Sequence, residues 1–350
     1  MCSPNMNSSL TPSPAASVLM PCYNAAATLP DALDSLGQQT LQNFEIIAVD
    51  DGSTDGTAEI LRQKAAHDVR LRIISQPHTG IIAALNSGLA ACRAGYVARM
   101  DSDDRCHPER LVRQVSYLDQ HPQAAAVSCL VEAFPPGQVR QGFRIYVEWL
   151  NSLVSDEDMR REIFVESPMA HPSVTFRKAW VEGVGSYQER GWAEDYDLWL
   201  RLNSAGARFA KLEQVLLQWR ERPERLTRTD GRYSLENFLR AKAHYLAQGP
   251  LRTRDAVIVW GAGMMGRRLS KHLLRHDIPL MAFIDVDPAK IGRTRRGHPI
   301  IAPEQLPDLW KQFDDPALLA AVGARGARVL IRQRLKGYGL REGIDWWSTA

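Results

Sequence analysis

The sequence predicts an α/β protein with a mostly parallel sheet flanked by helices, followed by a second, smaller α/β unit. Three observations lead there. Short apolar runs alternate with amphipathic helical runs from Ser17 to Asp101, joined by connections of a few residues, the pattern of a parallel sheet with crossover helices. The chain is punctuated at Gly249-Pro250 and restarts with Ala256-Val257-Ile258-Val259-Trp260, then Gly261-Ala262-Gly263-Met264-Met265-Gly266. Charge changes at the same place: residues 1–250 hold 26 Lys/Arg against 30 Asp/Glu, whereas residues 251–350 hold 17 against 10. The expected divisions are a disordered leader over 1–15, a first domain over 16–250 and a second over 251–350.

Val18-Leu19-Met20 reads as the first strand, ended by Pro21-Cys22-Tyr23-Asn24. A helix follows, with Pro30 in its first turn and Leu29, Leu33 and Leu36 on one face. Phe44 to Val49 is a second strand that runs into Asp50-Asp51-Gly52-Ser53. Thr57–Lys64 is helical, Leu71–Ile74 a strand, Ile81–Ala91 a helix, and Tyr96–Met100 a strand ending at Asp101. Residues 144–166 read as one amphipathic helix carrying Tyr146, Trp149, Leu150 and Leu153. A strand at Ser173–Phe176 and an acidic, aromatic helix at Ala193–Leu202 come next.

Composition narrows the class. Of 350 residues, 45% are hydrophobic and 24% charged, which excludes a wholly disordered or fibrous chain. A net charge of +3 is too small to indicate nucleic acid as a partner. The five cysteines (Cys2, Cys22, Cys92, Cys106, Cys129) show no C-x-x-C spacing, consistent with unpaired thiols in a reducing compartment. No apolar run approaches the roughly 18–20 residues that span a bilayer, and the amino terminus lacks the basic and apolar segments of a signal peptide. A cytoplasmic protein is expected. The basic excess after residue 250, including Arg267, Arg268, Arg293, Arg295 and Arg296, suits either a solvated surface or peripheral contact with anionic lipid.

In parallel α/β sheets ligands bind beyond the carboxyl ends of the strands, and acidic residues fall at those ends, at 50–51 and 101–104. Asp101-Ser102-Asp103-Asp104 places three carboxylates in four residues. Such oxygens are hard ligands for Mg²⁺ or Mn²⁺; the same residues also suit a turn before the helix that follows His107-Pro108. Their context is an ordered series: Met20-Pro21-Cys22-Tyr23-Asn24, Val49-Asp50-Asp51-Gly52-Ser53-Thr54-Asp55, Gly80 with Asn86-Ser87-Gly88, Met100-Asp101-Ser102-Asp103-Asp104, and Glu194-Asp195-Tyr196-Asp197.

Over residues 17–225 this series resembles the family 2 glycosyltransferases, which have the GT-A fold and invert configuration at the sugar. The resemblance implies that Pro21 and Tyr23 hold the nucleobase, Asp51 accepts from a base N–H, Asp101 lies near the ribose, Asp103 ligates the metal on the diphosphate, and Asp195 is the general base. Glu194 and Asp197 are rivals to Asp195. Processive members carry Q-x-x-R-W; here the region reads Gln218-Trp219-Arg220-Glu221-Arg222, so transfer of a single sugar is expected, from a nucleotide-sugar donor to a glycan or lipid-linked acceptor. Arg220, Arg222, Arg225 and Arg228 either offer guanidinium groups to the diphosphate or form a solvated basic face. His171 is either near the sugar or a core histidine, and Cys106 has no partner at nucleophile spacing.

Gly261-x-Gly263-x-x-Gly266, with Asp285 ending the next strand, fits a dinucleotide-binding turn. Only about 100 residues remain for it, so NAD(P) is less expected than an empty or nucleotide-sugar-binding module, resembling the Rossmann-like appendages of sugar-handling proteins. Two other readings stand beside the transferase: a catalytically silent nucleotide-sugar-binding module, and an oxidoreductase using NAD(P) in the second domain.

Overall fold

The computed structural model describes residues 13–223 and 225–350. Residues 1–12, with most of the expected leader and Cys2, lie outside them. The chain divides into two compact units, one comprising the stretch up to Glu132 with His171–Glu182 and Gln214–Arg220, the other Ala133–Ala170, Gly183–Glu213 and Glu221–Ala350.

Among the described residues the first sheet has eight strands: β1 (Ala16–Cys22), β2 (Phe44–Asp51), β3 (Leu71–Gln76), β4 (Tyr96–Arg99), β5 (Arg105–Cys106), β6 (Ala124–Phe134), β7 (Thr175–Arg177) and β8 (Arg208–Arg220), in spatial order β3-β2-β1-β4-β7-β6-β8-β5. Pairing is parallel from β3 through β4 and antiparallel from β4 to β7 and β7 to β6. Every residue of β1 and β2 is buried, as expected of strands covered on both faces. Helices α1 (Leu29–Gly37), α2 (Thr57–Ala65), α3 (Ile81–Ala91) and α4 (Arg110–Gln120) belong to this unit. Leu29, Leu33 and Leu36 of α1 are buried, each contributing roughly 1.5–3 kcal/mol. A Cβ on Gly88 of α3 would lie 2.2 Å from the Leu19 side chain, so a glycine there lets helix and sheet approach. Glu45, buried in β2, accepts from Ser17 Oγ (2.7 Å), Arg93 N (2.7 Å) and Arg93 Nε (2.8 Å), joining β1, β2 and the α3–β4 connection.

The expected continuous helix over 144–166 is two helices, α5 (Gln141–Ser152) and α6 (Asp156–Glu162). Ser155 and Asp158 form a reciprocal capping box that starts the second. The strand expected at Ser173–Phe176 begins at Thr175, after a 3₁₀ turn over His171–Ser173. Beyond α7 (Lys178–Gly183) come α8 (Glu194–Ser204), α9 (Leu226–Thr229) and α10 (Leu235–Gln248).

The second sheet consists of β9 (Ala256–Trp260), β10 (Leu280–Ile284), β11 (Thr294–Arg295), β12 (His298–Ile301), β13 (Pro316–Ala320) and β14 (Trp346–Ser348), in order β11-β12-β10-β9-β13-β14, parallel except for β11. The expected fold class, a mostly parallel α/β sheet followed by a smaller α/β sheet, is therefore present. Its helices are α11 (Met264–Leu274), α12 (Leu306–Trp310) and α13 (Ala327–Gly337), and Ile258, Trp260, Ile284, Leu318, Ile331 and Trp346 form its core. Within the second unit this sheet is tied to the preceding chain by charge. Glu162 of α6 accepts from Arg328 (2.6 Å) and from Arg332 of α13. Lys242 of α10 donates to Val165 O (2.7 Å) and Thr349 O (3.0 Å); its burial pulls the ammonium down to about 8. No described helix is long and apolar enough to cross a membrane.

Candidate active site

The register of the parallel strands sets the edge of the site. Cys22 pairs with Asp50, and Leu19 with Arg99, so the residues that follow β1, β2 and β4 leave the sheet on the same side. Asn24 turns the chain after β1 with a left-handed φ of 47°, a conformation asparagine tolerates. It is fixed there by Ser53 Oγ accepting its N–H (3.0 Å) and by Thr54 N donating to its Oδ1 (2.9 Å). The first two loops are thus stitched together, and Tyr23 projects from them, 45% exposed.

Asp51 is held by the loop after β3. Its Oδ1 accepts from Gln76 Nε2 (2.7 Å), Thr79 N (3.1 Å) and Thr79 Oγ1 (3.2 Å), and its Oδ2 from Gly80 N (2.9 Å). Oδ2 also lies 2.8 Å from His78 Nδ1. Burial opposes ionisation of Asp51, but the Thr79, Gln76 and Gly80 donors outweigh it and hold the carboxyl below its usual range.

Asp101, Asp103 and Asp104 each present a carboxylate oxygen within 4.8 Å of the others, Asp103 and Asp104 buried and Asp101 half-buried. Their loop is braced from several directions. Buried Arg99 pairs with Asp101 Oδ1 at 2.6 Å, Thr28 Oγ1 donates to Ser102 O (3.2 Å), and Arg220 of β8 donates from its backbone to Asp104 Oδ1 (2.8 Å) and from Nε to Asp103 O (2.6 Å). Asp31 takes the remaining face of Arg220 (3.0 Å) together with Arg105 (2.5 Å); the Arg105 hydrogen bond is the main cause of its lowered pKa. Three tightly grouped oxygen donors suit a divalent cation.

Asp195, Gly261, Gly263, Gly266 and Asp285 belong to the second unit. Asp195 is half-buried in the first turn of α8, where its Oδ1 accepts from Tyr196 N (2.7 Å). Tyr146 and Tyr233 lie near it: burial first, then neighbouring carboxylates that include Asp195, raise both phenols well above their usual range. The rivals are engaged in structure. Glu194 is buried and accepts from Tyr233 OH (2.7 Å). Asp197 is fully buried and accepts from Trp192 Nε1 (2.8 Å), Tyr245 OH (2.7 Å) and Arg201 Nε (2.7 Å).

At the glycine-rich turn, Gly261 has φ 118°, and a Cβ on Gly266 would lie 1.8 Å from Gly261 O. Asp285 accepts from Ala262 N (3.1 Å), Asp287 N (3.0 Å) and Lys290 Nζ (3.1 Å).

First-unit residues expected to serve the donor, Pro21, Tyr23, Asp51, Asp101 and Asp103, thus come from adjacent strand ends. His78, Asp31 and Arg105 were missed as part of that edge. Arg220 turns onto the acidic loop, while Arg225 and Arg228 engage Glu221, Arg225 at 3.5 Å. His171 is a buried histidine whose desolvation, with Arg99 nearby, depresses its pKa well below the usual value. Cys106 is buried, its thiol pushed up by desolvation.

Residues 17–184 match the family model described as glycosyl transferase family 2. The amylovoran biosynthesis glycosyltransferase AmsE of Erwinia amylovora is 36% identical over 207 residues, covering 58% of this chain and 75% of that protein. EpsE of Bacillus subtilis (strain 168) is 33% identical over 231 residues, covering 65% and 80%. Among solved structures, S. aureus TarS 1–349 in complex with UDP-GlcNAc shares the fold, with a TM-score of 0.55 at 20% identity over 75% of this chain and 72% of that one. The sheet, its acidic edge and these relatives define a sugar-transferring enzyme. The chain belongs to glycosyl transferase family 2.

Proposed function

We propose that this glycosyltransferase is inverting and metal-dependent, and moves one sugar from a UDP-sugar to a hydroxyl of a glycan or lipid-linked acceptor in surface or extracellular polysaccharide biosynthesis. The observation that carries the reading is the grouping of Tyr23, Asp51 and the three clustered carboxylates on one edge of parallel strands. AmsE, named for amylovoran biosynthesis, supports the polysaccharide setting.

In this reading Tyr23 supports the base, Asp51 accepts its N–H, Asp101 faces the ribose, and Asp103 with its neighbours holds Mg²⁺ or Mn²⁺. The ion would supply charge neutralisation for the departing diphosphate. The acceptor oxygen bonds to the anomeric carbon as the bond to the β-phosphate oxygen breaks. The hydroxyl proton passes to Asp195, and the diphosphate leaves with the bonding pair. Residues 251–350 serve as a Rossmann-like module with Gly261, Gly263, Gly266 and Asp285 at its nucleotide edge. Asp285 already accepts from Ala262, Asp287 and Lys290, which disfavours an NAD(P) ribose there.

The test is calorimetric titration of UDP with and without Mn²⁺, on the natural chain and on Asp103→Ala. Binding should require Mn²⁺ and collapse in the variant. Binding that ignores both Mn²⁺ and the substitution would sink the metal site, absence of binding by UDP, GDP and dTDP would remove the donor-site reading, and Mn²⁺-dependent binding without sugar transfer would favour the silent-module reading.

A further inference from the structure

One side chain of the chain itself already makes both contacts that the proposed reading gives to the nucleobase. The imidazole of His78 stacks on the Tyr23 ring, centroids 3.9 Å apart and planes 14° from parallel. Its Nδ1 lies 2.8 Å from Asp51 Oδ2 and 3.1 Å from the Asp51 main-chain oxygen. Both neighbours are acceptors, so Nδ1 carries the hydrogen and donates. A flat ring stacked on tyrosine that gives one ring N–H to a carboxylate is also a description of a bound base.

Of the donors on Asp51, the imidazole is the one built to leave. Thr79 N and Gly80 N are main chain, and Gln76 is tied in addition to Thr79 Oγ1 at 2.8 Å. The His78 side chain is 51% exposed. Its main chain is wedged: Gly52 has φ 72°, and a Cβ there would lie 2.6 Å from His78 N. Departure therefore takes place about the side-chain torsions of His78, with the loop left in position.

We propose that His78 occupies the base position of the free enzyme and swings out when the nucleotide arrives, its places on Tyr23 and Asp51 passing to the base. This deepens the donor-site reading and rests on it. One stack and one N–H···O bond are exchanged for another of each, so His78 competes with the donor and lowers its apparent affinity. It also sets a condition on the base. A base that brings a ring N–H, as uracil does, replaces what leaves, whereas cytosine turns a lone pair toward the vacated Asp51 oxygen.

The experiment titrates UDP and CDP, in Mn²⁺, into the natural chain, His78→Ala and His78→Phe, and follows the histidine ring resonances of the natural chain by NMR. His78→Ala is expected to bind UDP about five- to tenfold tighter, the factor by which a mostly filled seat weakens a ligand. His78→Phe, which keeps a stacking ring and loses the N–H, should gain less, and CDP should stay weak throughout. The His78 ring protons, shielded by Tyr23 in the free enzyme, should move downfield as UDP is added. Equal or weaker UDP binding by His78→Ala, or His78 resonances that ignore bound UDP, would overturn the proposal and leave the donor site standing. Failure of UDP and CDP to bind any of the folded proteins, with GDP and dTDP added as further arms and equally silent, would remove the donor-site reading itself.

Discussion

The main-chain N–H of Arg220 donates to a carboxylate oxygen of Asp104 at 2.8 Å, so a residue of β8 fixes the acidic loop that follows β4. The side chain continues the task, with Nε on Asp103 O and Nη2 on Asp31. Arg220→Ala keeps the main-chain bond and loses the other two. Hydrogen bonds involving charged groups are worth about 1.5–3 kcal/mol, and we expect destabilisation of about that size in urea melts. Mn²⁺ affinity should fall with it. An unchanged metal affinity would show that the loop holds its shape without the guanidinium.

In the proposed mechanism Asp195 serves the chemistry, and Asp197, two residues on, serves the architecture. Asp195→Asn should leave thermal stability within about 0.5 kcal/mol and lower turnover by about 10²-fold or more. Asp197→Asn leaves the buried Arg201 without its carboxylate, and about 3–5 kcal/mol of stability should be lost. Thermal melts with transfer assays on both variants decide the matter; equal melting temperatures would contradict the buried network, and an active Asp195→Asn would remove it as the base.

The two glycines at the start of α11 are expected to respond oppositely. Gly266→Ala forces a Cβ to 1.8 Å from Gly261 O, whereas a Cβ on Gly263 meets nothing within 4 Å. We expect Gly266→Ala to cost about 1–3 kcal/mol or more by overpacking, and Gly263→Ala to melt within about 1 kcal/mol of the natural chain. Comparable loss in both would mean that the turn tolerates no side chain for reasons other than space.

The Asp51 carboxyl is held below its ordinary value of 3.8 in the folded state. A depressed carboxyl adds stability that is fully present above the unfolded value and is lost as pH falls through the folded one. Below about pH 4 the natural chain should therefore lose stability more steeply than Asp51→Asn. Melting temperature followed from pH 6 to pH 3 checks this; parallel curves would mean that the loop donors do not favour the ionised form.

Much of the architecture is legible in the chain. Strands β1 to β4 and helices α1 to α3 lie where alternation and apolar faces put them, and the acidic residues do end their strands. Two long strands are not legible. The β6 sequence AAAVSCLVEAF is mostly apolar, broken by Ser128 and Glu132, and suits strand and helix equally, and β8, with Lys211, Glu213 and Arg220 along it, shows no clean alternation. At the site, carboxylates grouped in one loop declare themselves through local spacing. The pairing of Arg220 with Asp31 does not, because 189 residues separate them and only the sheet brings them together. His78 is silent for a different reason, since nothing in Pro77-His78-Thr79-Gly80 shows that its ring will lie on Tyr23.

Glu162 has an implication for synthesis. It is buried with Arg328 and Arg332 as partners, and Arg328 lies 166 residues further along the chain. Its neighbour Arg161 lies 3.7 Å away, but during translation that carboxylate emerges long before Arg328 and Arg332, and until they follow its final burial would be under-compensated. The segment around α6 is therefore expected to reach its final packing only after the ribosome has released the sequence of α13. A nascent chain halted near residue 250 should remain open there, and the folding of this enzyme is expected to finish late, from its far end backward.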